Sequence, residues 1–502
     1  MTRKGAAMRL RLFALPLMCA ALLGACTTSV VNPVSGKEER TVLSEEAEGK
    51  EGKAAHQQVL AEYGAYGDAR VQAYVNEIGQ RLAKQSHRAA LPWTFTVLDS
   101  PEINAFALPG GYVYVTRGIM AYMESEADLA GVMGHEIGHV TARHGAQRAT
   151  RQQRAGLGVL AASVLGAVLG VGDAVSQVSQ GVAAGYVASY SREQELQADQ
   201  LGAEYLVRNK YDPNNMVDVI EVLKNQERFA ADQARAEGKS PRQGADWLAS
   251  HPTNDKRLAD IRNIAEKYKG QGPYVDDGRA RYLQAVAGMN FGDSREQGVV
   301  RGRNFYHEPL GIALTAPEGW KIQNEAEAIT LVNGAGDAGL MVQTVPQKAG
   351  TTHEDILRNG LKATDGKTEK RQLNGLAATH YSGLRQNAQG QSQAVEATVV
   401  TGPQSRNYLL LYAGKDAAAV QRAGAALRAA EGSFRPLSST DRAAAKPWVL
   451  RSMALPAGGF AELARRSPLP GNAEQQLRLM NGVYGGAGSS DLRPGTLVKT
   501  VE

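Results

Sequence analysis

Five consecutive residues, His135, Glu136, Ile137, Gly138 and His139, constrain this chain more than any other feature, because they spell HExxH inside a stretch with helical patterning. At 3.6 residues per turn, positions i and i+4 stack on one face, so both imidazoles can reach a single metal ion. Glu136 projects beside that ion, where its carboxylate can accept a proton from water. The helix is predicted independently of the motif. Ser125 with Asp128 three positions on reads as a capping box, and the run extends to about Arg148. Gly131, Gly134 and Gly138 lower its surface for close packing, at a cost of about 1 kcal/mol each against Ala.

Two helix histidines leave zinc short of a catalytic set, which is normally three protein ligands plus water. Glu195 is the candidate third ligand. It opens the run Glu195, Leu196, Gln197, Ala198, Asp199, whose two carboxylates stand four apart on one helical face. In this reading Asp199 hydrogen-bonds a ligating imidazole and fixes its tautomer. The other reading of the same run is a solvated acidic face. No cysteine competes for the role, since the two in the chain are Cys19 and Cys26, both in the leader.

That leader carries Arg3, Lys4, Arg9 and Arg11, then the apolar run Leu12 to Leu23, then Gly24, Ala25 and Cys26. This is the order of a secretory signal, and the apolar run is shorter than the ~20 residues that span a bilayer. Residues 1–25 are therefore expected to be a signal peptide. Leu23 to Cys26 resembles a bacterial lipobox, which implies lipidation at Cys26, a tether over 26–45 and attachment to membrane through acyl chains. Thr27, rather than an aspartate, implies the outer membrane and a periplasmic location. Four of the five net positive charges belong to the leader, so no basic surface for nucleic acid is implied.

Beyond the tether, Val71, Tyr74, Val75, Ile78 and Leu82 mark an amphipathic helix, and Trp93 to Leu98 and Tyr112 to Thr116 read as strands. Residues 155–191 hold one charge, Asp173, and fit either a helical insertion or a membrane span. Helices follow over 194–207, 214–237 and 254–269, and a Gly/Pro-punctuated segment closes the domain. With 43% hydrophobic and 21% charged residues over 502 positions, more than one globular domain is expected. The chain is read as α+β and multidomain, with a mainly helical domain carrying a small sheet over 46–270 and a linker over 271–305. An α+β domain follows over 306–436, and a small module over 445–502. His353 and His380, isolated in the third of these, are read as satisfied core or surface groups.

HExxH, the following Ala142, Arg143 and His144, and the downstream ExxAD run with Gly202 resemble the M48 family of zinc metallopeptidases. Asn104 to Gly111 with Tyr112 to Arg117 is similar to that family's segment preceding the active helix. The resemblance covers roughly residues 45–270 and implies a zincin-type domain holding one Zn2+ per chain. Its ligands would be His135, His139 and Glu195, with Glu136 as general base. It implies that Val113–Thr116 pairs with an extended or unfolded polypeptide substrate. It also implies a loop histidine that reaches the zinc and holds the enzyme latent; His251, followed by Pro252 and Thr253, is similar to that loop, its alternative being an ordinary loop histidine. Arg257 is expected to stabilise the tetrahedral oxyanion. The function implied is an envelope-anchored endopeptidase acting on unfolded or misassembled envelope proteins, a role in protein quality control. Phe460, Leu463, Leu477 and the run from Leu492 to Val498 resemble a divergent LysM-like module, which implies contact with peptidoglycan or an envelope protein. The rival readings are a latent zinc-bound assembly chaperone and a peptidoglycan hydrolase.

Overall fold

A computed structural model describes residues 28–150, 190–236, 238, 251, 255–325, 328–386, 392–485 and 492–502. Residues 1–25, expected as a signal peptide, Cys26 and all but the last two residues of 155–191 lie outside the described residues. Among those described, no helix is long and apolar enough to cross a membrane.

The chain forms two compact units, residues up to 289 together with 449–502, and residues 290–448. The first unit is built around the buried helix Glu126–Thr141. Its entry follows from sequence: the Ser125 hydroxyl accepts from Asp128 N, and the Asp128 carboxylate accepts from Ser125 N at 3.1 Å. Its end differs from expectation. The helix does not run on to Arg148 but breaks at Ala142 and Arg143, where Arg143 adopts a left-handed φ of 57°, and helical backbone resumes at His144. Arg143 Nε donates to Glu48 Oε1 at 2.8 Å and a terminal nitrogen donates to Leu43 O at 2.7 Å, which holds the unfavourable backbone.

A three-stranded sheet flanks this helix. Tyr112–Thr116 is its middle strand, parallel to Thr94–Leu98 and antiparallel to Ala105–Leu108. The turn before it uses Gly110 and Gly111 at φ 84° and 97°. The helix Glu45–Tyr63 covers one face of the sheet through Ala55 and Val59, and its Gly52 touches that turn so closely that a Cβ there would lie 1.9 Å from Pro109 O. Helix Ala69–Lys84, predicted from its apolar stripe, packs on Thr94–Leu98.

The expected boundaries do not match this division. The helix Arg279–Val286, inside the segment expected as a linker, belongs to the first unit and buries Tyr282 and Leu283. The terminal segment, expected as a module of its own, also joins that unit. Its strand Trp448–Ala454 pairs antiparallel with Leu497–Val501, and helices Gly459–Arg466 and Ala473–Met480 lie between them in sequence. Gly288 N donates to Leu450 O at 2.8 Å, where the chain returns to the unit.

The second unit is α+β. Seven antiparallel strands run in the order Lys321–Asn324, Ile329–Val332, Ala338–Thr344, Asn407–Gly414, Ser392–Thr401, Leu376–Gln386, Ala363–Leu373. Helix Ala417–Gly432 packs Leu427 and Ala430 into a core with Leu331, Leu340 and Leu410. The outermost strand, Ala363–Leu373, is exposed and charged on both faces, so it shows no apolar alternation to read. His353, at the start of a short helix, bonds Thr379 at 2.7 Å and Thr401 at 2.9 Å, and His380, within the strand Leu376–Gln386, bonds Thr398 at 2.9 Å, so both are satisfied.

Candidate metal centre

Four donors converge in the first unit. His135 Nε2 lies 3.0 Å from His139 Nε2 and 3.2 Å from His251 Nδ1. Glu195 Oε1 lies 3.0 Å from His251 Nδ1 and 3.5 Å from His139 Nε2, and Glu195 Oε2 lies 3.6 Å from His135 Nε2. All four residues are buried, and they form the single metal-capable group of His, Cys, Asp and Glu among the described residues. Zinc ligands at ~2.0–2.1 Å in a tetrahedron are ~3.3 Å from one another, and the separations here fit that figure.

Two helices bring the set together. Glu126–Thr141 supplies both HExxH histidines, and Arg192–Arg208, capped by Ser191 with Gln194, supplies Glu195. They touch at glycines: a Cβ on Gly138 would stand 2.9 Å from Ala198 O, and one on Gly134 would stand 3.3 Å from Gly202 O. Of the three glycines expected to lower the helix surface, Gly134 and Gly138 form this contact face, while Gly131 faces Met216 and Val219 of the helix Asn215–Ala236.

The electrostatics are those of a site that wants a cation. Burial pushes Glu195 up to about 7, against the pull of Arg257 and His135. Burial also holds His139 and His251 well below the usual imidazole range, so both rings are neutral lone-pair donors. Asp199 behaves oppositely. Burial alone would raise it, yet Arg257 and His135 keep it below the ordinary carboxylate range. Its Oδ1 lies 2.9 Å from His135 Nδ1, which leaves the other ring nitrogen directed toward the cluster.

Glu136 is buried, with Oε1 3.5 Å from His251 Nε2. Arg257, expected at an oxyanion, is instead committed within the site. Nε and one terminal nitrogen donate to Asp199 at 2.9 and 2.8 Å, and the other terminal nitrogen donates to the His251 carbonyl at 3.1 Å and forms an ion pair with Glu195 Oε2 at 2.7 Å. A guanidinium engaged at each nitrogen holds ligands in place rather than waiting for substrate. The expected substrate strand also needs correction. Tyr112–Thr116 is paired on both sides, so its backbone has no free edge. The neighbouring Ala105–Leu108 pairs on one side within its sheet and packs on the HExxH helix.

Three surrounding residues carried no assigned role in the sequence reading. Tyr190 stacks on His139 with ring centroids 3.9 Å apart, while His144 and Gln197 lie behind the same ring. Gln197 had a local signal, since it sits two residues past Glu195 on the ligand helix.

Residues 69–265 match Peptidase family M48. The chain is 32% identical over 206 residues to a beta-barrel assembly-enhancing protease of Yersinia pestis, covering 39% of each chain. It is 33% identical over 203 residues to the protein of that name in Escherichia coli (strain K12), again 39% of each. Against the mitochondrial metalloendopeptidase OMA1 of Schizosaccharomyces pombe, identity is 30% over 237 residues, covering 46% of this chain and 64% of that one. The chain thus spans about two fifths of the length of the bacterial relatives it matches. The matched residues enclose the HExxH helix, the Arg192–Arg208 helix and His251, so the whole metal-capable cluster lies within the stretch that matches Peptidase family M48.

Proposed function

We propose that the chain is a zinc endopeptidase of the bacterial envelope, kept latent by His251 and acting on unfolded or misassembled envelope proteins. The observation that carries the reading is the convergence of His135, His139, Glu195 and His251 beside Glu136. Three imidazoles with one carboxylate suit zinc better than the oxygen-preferring Mg2+ or Ca2+. Bound there, zinc supplies Lewis acidity toward a peptide carbonyl and lowers the pKa of a water. Glu136 takes the proton from that water and delivers it to the leaving amine as the C–N bond breaks, so one water is consumed per bond.

His251 is the latch. A catalytic zinc site keeps one position open, whereas four protein donors close it. The His251 ring also stands beside Glu136, with Nε2 3.5 Å from Oε1, where it competes with water for that carboxylate. The outer edge of Ala105–Leu108 offers backbone groups for an extended peptide, which explains selection by conformation more than by side chain. Substrates in the envelope are supported by the leader's lipobox-like end at Cys26 and by the names of the bacterial relatives. The closed donor set also favours a second reading, a zinc-bound assembly factor that does not turn over.

Cleavage of an unfolded protein such as casein by the metal-loaded chain tests this. Glu136→Gln should keep its zinc and lose about 100-fold or more in rate. Equal rates for the two, insensitive to chelator, would support the assembly-factor reading. A Cys26→Ser chain that still fractionates with membranes would remove the lipid anchor.

A further inference from the structure

His139 faces His135 and Glu195 through Nε2, so that atom must carry a lone pair to serve as a ligand. Its Nδ1 lies 2.9 Å from His144 Nδ1. The break at Ala142 and Arg143 is what turns His144 back under the ring. His144 Nε2 lies 3.0 Å from Gln197 Oε1, and the same oxygen is 3.0 Å from Asn32 Nδ2. All four side chains are buried, Asn32 at 2% exposure.

Imidazoles and amides can be turned round, so these distances alone do not say which atom donates. Asn32 removes the ambiguity. It sits in the turn between strands Thr28–Val31 and Glu38–Thr41, where its Oδ1 accepts from Val34 N at 2.9 Å and Ser35 N at 3.1 Å. Backbone N–H groups can only donate, so the oxygen of this amide is fixed toward them. Its Nδ2 donates to Glu39 Oε1 at 3.0 Å, which agrees. Gln197 must then answer Asn32 with its oxygen. That oxygen takes the proton on His144 Nε2, His144 Nδ1 is left as an acceptor, and His139 donates from Nδ1. Only that tautomer leaves His139 Nε2 free.

We propose that the N-terminal hairpin, acting through Asn32, Gln197 and His144 as positioning residues, sets the tautomer of His139 and thereby its competence as a metal ligand. The relay joins residues 165 positions apart in sequence, and it rests on the metal-centre reading above. Residues expected as part of a tether over 26–45 are thus a folded hairpin wired to the metal centre by hydrogen-bond polarity.

Two near-isosteric substitutions separate polarity from charge. Asn32→Asp and Gln197→Glu each add one carboxylate behind His139, so charge alone moves cation affinity the same way in both. Polarity moves them apart. Gln197→Glu still accepts from His144 and Asn32, whereas Asn32→Asp removes the donor, letting the Gln197 amide reverse and the His139 proton settle on Nε2. The metal-stripped full chain is titrated with Co2+, reading the d–d absorption and the affinity by chelator competition. Asn32→Asp should weaken Co2+ by about 10–100-fold and change the d–d band, with Gln197→Glu staying within about threefold of wild type. Equal affinities for the two variants overturn the relay. A wild type that takes up no Co2+ overturns the metal centre itself. Should Asn32→Asp fail to fold, long-range 1H–15N correlations of the metal-free wild type decide. His139 protonated at Nδ1 and His144 at Nε2 are expected, and either ring in the opposite tautomer overturns the proposal.

Discussion

With His251 Nδ1 3.0 Å from Glu195 and 3.2 Å from His135, the fourth direction around the donor cluster belongs to a side chain rather than to solvent. A mutation at this residue therefore acts in a direction unusual for a site substitution. His251→Ala opens a coordination position and clears the space beside Glu136, so cleavage of casein should rise while zinc is retained through His135, His139 and Glu195. If the closed arrangement is favoured by about 1.4 kcal/mol, the gain is about tenfold. Rates measured on wild type and variant at equal zinc content check this, and an unchanged or lower rate would remove the latch. The rest of the residue-scale picture is one of ligands held by their neighbours. Arg257 spans Asp199, Glu195 and the His251 carbonyl, so it ties His251 to the same two carboxylates that flank the donor cluster.

At the scale of elements, the site depends on how near the two ligand helices come. Gly138→Ala puts two effects in opposition. Alanine gains about 1 kcal/mol in helix propensity, yet its Cβ would sit 2.9 Å from Ala198 O, and backbone so placed cannot yield without parting the helices. Overpacking of that kind costs about 1–3 kcal/mol, so the variant should be less stable and bind Co2+ more weakly. Thermal unfolding with and without metal reads both, and a more stable variant with intact affinity would show that the contact has slack. This part of the fold was legible because it is local: HExxH and Glu195…Asp199 each put two functional groups one turn apart, and Ser125 with Asp128 announces the start of the HExxH helix. The relay from Asn32 was not, since a turn asparagine carries no sign of a partner 165 residues away. Nor was the break at Arg143, which is held by Glu48 and Leu43 from a different helix and its approach. The middle position of Tyr112–Thr116 was hidden for a similar reason, because alternation marks a strand but not its neighbours.

At the scale of the whole molecule, the terminal segment reads as a separate module in sequence but folds into the first unit, and Lys499 shows why. Its side chain is buried and donates to Ala121 O at 2.9 Å and to Met123 O, the backbone that leads into the Ser125 cap of the HExxH helix. Tyr484 adds a hydrogen bond to Asp232 at 2.7 Å, so the segment grips the first unit at more than one place. Burial pushes Lys499 down to about 7, with Glu124 and Asp128 pulling upward and Arg279 pushing further down. The unfolded lysine titrates near 10.4, so between about pH 7 and 10.4 the unfolded chain holds more protons than the folded one. Stability from this group must therefore rise with pH across that window and level off below it, by at most about 1.4 kcal/mol per pH unit. Lys499→Met has no proton to lose there. The difference in unfolding free energy between wild type and variant should accordingly grow in favour of wild type from pH 7 to pH 10, as read by urea titration at each pH. Parallel curves would mean that Lys499 titrates as it does in water, and the buried link between the terminal strand and the entry of the HExxH helix would be lost with it.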